Sequence, residues 1–135
     1  VSEFRPPAPT FTHLTAHKNK TEQFDLMHVG SAGKAETLAT APLSLFKGAW
    51  IQARERITYG STATNGVYLV TLTDVKTGKV LLTWQGDQLD LWRNDMKFAR
   101  PKWGICRSLL SRDALRDEAV EFADFCLAKG ADECR

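Results

Sequence analysis

The sequence predicts an all-β domain, a jelly-roll-like β-sandwich, from three observations. Residues 67–73 run Val-Tyr-Leu-Val-Thr-Leu-Thr, β-branched or aromatic at most positions, which suits a buried strand. The turn-forming segment Asp74-Val75-Lys76-Thr77-Gly78-Lys79 separates that run from Val80-Leu81-Leu82-Thr83-Trp84, so the two runs form a hairpin. Elsewhere strand-like runs alternate with glycine and proline signals, and helical spacing is confined to the stretch after Ser111.

In chain order, residues 1–9 carry Pro6, Pro7 and Pro9 and read as an extended lead-in to a single domain over residues 10–135. Residues 10–18, rich in threonine and aromatic side chains, predict a strand, and residues 24–29 a second. Gly30-Ser31-Ala32-Gly33-Lys34 is a turn that lacks the Gly-Lys-Ser/Thr ending of a phosphate loop. Residues 49–59, preceded by Pro42 and Gly48, predict a long strand. Beyond Ser111, a candidate N-cap, the spacing of Leu115, Ala119, Phe122 and Cys126 predicts a helix from about residue 112, one short helix near 112–117 passing into a strand.

A chain of this length is one domain by size and can bury a modest core. The formal charge of +2 is too small to indicate a nucleic-acid partner. The charge is unevenly distributed: Arg93, Lys97, Arg100, Lys102, Arg107, Arg112 and Arg116 cluster with only Asp95 and Asp113 as acids among them, a solvated basic face or an anion-binding one. No apolar run is long enough to span a membrane. The first residues lack the basic start and apolar stretch of a signal peptide, so the chain reads as mature or cut from a longer precursor.

Three cysteines leave at least one thiol free or bonded to a partner. Cys126 and Cys134 flank Gly130 at a spacing that suits a small disulfide loop, and Asn19-Lys20-Thr21 is an N-glycosylation sequon; together they predict secretion. Other residues bear on other chemistry. Cys106 would need a nearby base to act as a nucleophile. His13 and His17 share one face of a strand but lie too far apart for one metal ion without other ligands, so no metal and no cofactor is expected. His13, His17 and Glu55 are the groups an RNA-cleaving site would need, yet no motif links them. Trp84, Trp92 and Trp103 have flat apolar faces that suit pyranose rings, although core packing is the commoner use of tryptophan. Strand alternation with Lys102 assigns Trp103 and Ile105 to the core, and Trp50 is also expected there.

Three segments together go beyond composition. Thr10-Phe11-Thr12-His13-Leu14-Thr15-Ala16-His17-Lys18 resembles the central strand of fungal secreted proteins similar to heparin, alginate and glucuronan lyases, the concanavalin-like jelly-roll polysaccharide lyases. Pro42-Leu43-Ser44-Leu45-Phe46-Lys47-Gly48-Ala49-Trp50, followed by Ile57-Thr58-Tyr59-Gly60, resembles their next loop and strand. Arg100-Pro101-Lys102-Trp103-Gly104-Ile105-Cys106-Arg107-Ser108 and residues 115–125 resemble their closing strands, and Lys102-Trp103-Gly104-Ile105-Cys106 matches a Lys-x-Gly-x-Tyr signature with cysteine in the tyrosine's place. The resemblance covers the later half to two-thirds of such proteins, and the strand with their substrate-binding arginine would lie upstream.

Such lyases remove the proton α to a uronate carboxylate, which requires a base, an acid and groups that neutralise the carboxylate. The resemblance puts the family's tyrosine at Cys106, its glutamine at Ala16 and its histidine at Lys18. Cys106 is too short to reach where a phenolic oxygen sits, and Ala16 donates no hydrogen bond. The expectation is therefore a secreted, lectin-like protein on a degenerate lyase scaffold that binds a polysaccharide or other glycan through His13, Lys18, Lys102, Arg54 and Arg56. Two alternatives stand beside it: a lyase completed by a second chain, and a toxin or interaction subunit. A second chain or homodimer is expected to cover the sheet edges, with Cys106 as a possible link.

Overall fold

The structure, a computed structural model, describes the backbone of residues 11–18 and residues 22–60, 64–92, 97–99, 101, 103, 104, 113, 117, 119–130 and 134. The chain divides into two compact units, residues 1–96 and 97–135. The described strands all belong to the first unit. They are β1 (Phe11–Lys18), β2 (Glu22–Val29), β3 (Ala35–Pro42), β4 (Ile51–Thr58), β5 (Gly66–Asp74) and β6 (Val80–Leu89), with one short 3-10 turn at Leu43–Leu45. They form two three-stranded antiparallel sheets, β1-β2-β3 (sheet A) and β4-β5-β6 (sheet B), so the fold is an all-β sandwich. Each sheet is a meander of consecutive strands.

Alternation along the strands builds the core. On β5, Tyr68, Val70 and Leu72 are buried, while Val67 between them and Gly66 is exposed. On β6, Leu82 joins them, and Leu91 follows just past the strand. Sheet A contributes Leu26 and Ala41 to the same cluster, with Phe24 and Ala39 packed against it. Each fully buried aliphatic side chain of this kind contributes about 1.5–3 kcal/mol. The sheets approach most closely at β3 and β6.

Bulges and turns set the registers. Leu38 is an extra residue on β3 between Ala39, opposite Leu26, and Thr37, opposite Met27. Irregularities in the β5–β6 ladder fall near Leu81 and near Gln88, which has φ of 56°. The predicted hairpin turn is present: Gly78 N–H donates to the Asp74 carbonyl at 2.8 Å with a φ of 70°, and Thr77 N–H donates to Asp74 Oδ1 at 2.9 Å. That backbone donor holds the exposed Asp74 carboxyl below its ordinary pKa.

Several expectations change. β3 was not predicted; its Ala-Glu-Thr-Leu-Ala-Thr-Ala-Pro sequence has weak strand propensity, and pairing with β2 decides its conformation. Residues 119–128 are neither helix nor strand, so the helical spacing there produces no helix; Asp113 lies in a 3-10 position, and most of 112–117 is outside the described residues. Trp50 is 54% exposed and Trp103 53%, so neither is core. In the second unit Trp103 packs on Phe125 at 4.5 Å and Phe125 on Phe122 at 6.3 Å. Cys126 and Cys134 form the expected disulfide, with Cα atoms 5.7 Å apart. No helix among the described residues is long and apolar enough to cross a membrane.

Candidate functional site: an acidic and aromatic face on sheet B

β4 separates its charges by parity. Its register with β5 puts Ala53 opposite Leu72, Glu55 opposite Val70 and Ile57 opposite Tyr68, so these residues share the inward face. Arg54 pairs with Thr71 and Arg56 with Leu69, on the outward face. That outward face also carries Thr83, whose hydroxyl lies 3.3 Å from that of Thr71. Ala53, Glu55 and Ile57 remain exposed, so the inward face is not closed over at β4.

Tyr68, 1% exposed, donates its hydroxyl to Glu55 Oε2 at 3.0 Å. Apolar surroundings raise the Glu55 pKa, an effect the Tyr68 hydrogen bond only partly offsets. Tyr59 continues the inward row of β4; burial, and then the negative charge of Glu55, raise its phenolic pKa. The rings of Tyr59 and Trp92 meet in a T-shaped arrangement with centroids 5.6 Å apart, and the ring centroids of Tyr68 and Trp84 are 6.1 Å apart. Trp84 can lie where it does because residue 86 is glycine: a Cβ there would sit 2.3 Å from the indole. Glu55 thus neighbours Tyr68 and Tyr59, which in turn meet Trp84 and Trp92, and all but Tyr68 are partly open to solvent. Flat apolar rings beside one hydrogen-bonding carboxylate suit a ligand that is apolar on its faces and polar at its edges.

A second polar cluster ties the sheets at one end. Ser31 N–H donates to Asp90 Oδ2 at 2.6 Å. His28 is 6% exposed, and its Nδ1 and the Oδ1 of Asp90 are buried without hydrogen-bond partners among the described residues. Burial lowers the His28 pKa, against opposing pulls from Asp90 and then Glu36. On sheet A, Asp25 is 8% exposed and accepts from Thr40 at 2.8 Å. A shallow groove lined by Glu22, Gln23, Thr40, Ala41 and Pro42 lies beside it, with Glu22 ion-paired to Lys47.

Of the predicted ligand residues, His13 and Lys18 belong to β1 and Arg54 and Arg56 to β4. In the backbone register of β1 with β2, His13 is opposite Met27 and Lys18 opposite Glu22. Ala16 pairs with Phe24. Arg54 and Arg56 lie on the outward face of sheet B, away from its acidic and aromatic surface. Lys102, Cys106 and Asn19 are outside the described residues. The sequence suggests Glu55 only as a partner of the histidines and does not single out Tyr59 or Tyr68 as site residues. Pairing residues 51–59 with 66–74 as antiparallel strands would have placed Glu55 and Tyr68 on one face.

The fold and site together define an all-β sandwich with an open acidic and aromatic face. No protein-family model, no curated protein and no solved structure matches the chain.

Proposed function

We propose that this protein is secreted and binds carbohydrate, with the glycan resting on the inward face of sheet B and the polysaccharide-lyase resemblance reflecting a scaffold whose proton-transfer groups are lost. The observation that carries this reading is the pair of tyrosines beside Glu55, Tyr59 and Tyr68, each backed by a tryptophan, on a face whose β4 residues are exposed. Pyranose rings present C–H surfaces to aromatic faces and hydroxyls to a carboxylate. Glu55 also sits where its own charge is disfavoured, a cost to the fold that a ligand role accounts for. The Cys126–Cys134 disulfide supports an oxidising destination.

The test is retention on a panel of polysaccharides by affinity electrophoresis, using the intact chain, Trp92→Ala and Trp84→Ala. Retention on at least one polymer, weakened roughly tenfold or more by Trp92→Ala with an unchanged circular dichroism spectrum, is the expected result. Retention on none overturns the proposal. Growth of ultraviolet absorbance from unsaturated uronates during incubation would replace it with the lyase reading.

A further inference from the structure

We infer that the glycan held on this face is uncharged, and that Glu55 is the group that turns uronate polymers away; this rests on the carbohydrate reading above. The inward face of sheet B is built from Ile51, Ala53, Glu55, Ile57 and Tyr59 with Tyr68, Val70, Leu72, Leu82 and Trp84 across from them, and no lysine or arginine is among these positions. Both arginines of β4 have the opposite parity. Strand alternation therefore puts the acid where the rings are and the cations on the far side of the sheet.

The ligand class follows from that separation. A uronate stacked on Tyr59 would bring a second carboxylate toward Glu55 with no described cation beside it on that face. Like charges a few ångströms apart repel, and partial desolvation already disfavours the Glu55 charge. A neutral pyranose meets no such penalty. Tyr68 occupies Oε2 of Glu55, while among the described residues Oε1 makes no hydrogen bond and can accept from a sugar hydroxyl. A neutral ring also stacks on tryptophan without desolvating a charge.

The experiment measures retention of the intact chain at fixed pH and ionic strength on hydroxyethyl cellulose and laminarin, and on alginate and polyglucuronate. The expected result is retention on a neutral polymer, with both uronates at least roughly tenfold weaker. Glu55→Gln keeps an acceptor for Tyr68 and should narrow that gap several-fold. Arg54→Gln/Arg56→Gln, on the outward face, should leave the ratio unchanged within about twofold. Uronate retained as well as neutral polymer overturns the inference and leaves carbohydrate binding standing. So does a gap that Glu55→Gln leaves intact, or one that the double arginine variant abolishes. Retention on none of the four overturns the inference together with the reading beneath it.

Discussion

Glu55 and His28 carry opposite costs of burial, and their pH dependences differ in sign. The Glu55 carboxyl titrates above its ordinary value in the fold, so between the unfolded and folded pKa values the folded state binds more protons. Stability therefore falls as pH rises through that window, and the penalty persists above it. Glu55→Gln removes the penalty and should raise the thermal midpoint at neutral pH, with the advantage fading below about pH 4. A variant midpoint below that of the unmodified chain at neutral pH would contradict this. His28 titrates below its ordinary value, so the unfolded state binds more protons as pH drops. Its contribution is complete above about pH 6.5 and is lost as pH falls through the folded pKa. His28→Asn should flatten the acid limb of a stability–pH curve measured by urea unfolding; an unchanged limb would show that other groups control it.

Single glycines and one leucine set how the strands meet. A Cβ at Gly66 would lie 2.6 Å from the Leu89 carbonyl oxygen and 2.7 Å from Leu91, so Gly66→Ala must move backbone. Its cost should be about 1–3 kcal/mol in chemical denaturation. At Gly86 the obstacle is the Trp84 ring, which can swing away. Gly86→Ala should then leave the fold intact while changing tryptophan fluorescence and weakening glycan retention; loss of the fold with no separable effect on binding would argue against that reading of Trp84. Leu26 is fully buried, and Leu26→Ala should cost about 2–5 kcal/mol. The strands themselves were largely legible: β1, β2, β4 and the β5–β6 hairpin follow from threonine, valine and aromatic runs between turn signals. β3 was not legible, because alanine and threonine at its positions favour no one conformation until β2 supplies a partner.

At the scale of the whole molecule, the described strands lie in one unit and the disulfide in the other. A loop closed over a sequence separation of 8 restrains its unfolded ensemble by about 2.5 kcal/mol in the chain-entropy account. Reduction should therefore open the second unit to proteolysis within residues 119–130 while residues 22–92 stay protected; simultaneous cleavage of both would show that the units do not unfold separately. The amino-acid sequence alone determined that the protein is all-β, where most strands run, and that Cys126 pairs with Cys134, because propensity, turn chemistry and short loop spacing act over a few residues. Tertiary structure decided which charges share a face. Parity within β4 sends Arg54 and Arg56 away from Glu55, and only the register with β5 brings Tyr68 to that carboxylate. Register is a long-range property, set by which apolar face the core takes from each strand, and so the site became visible only when the strands were paired.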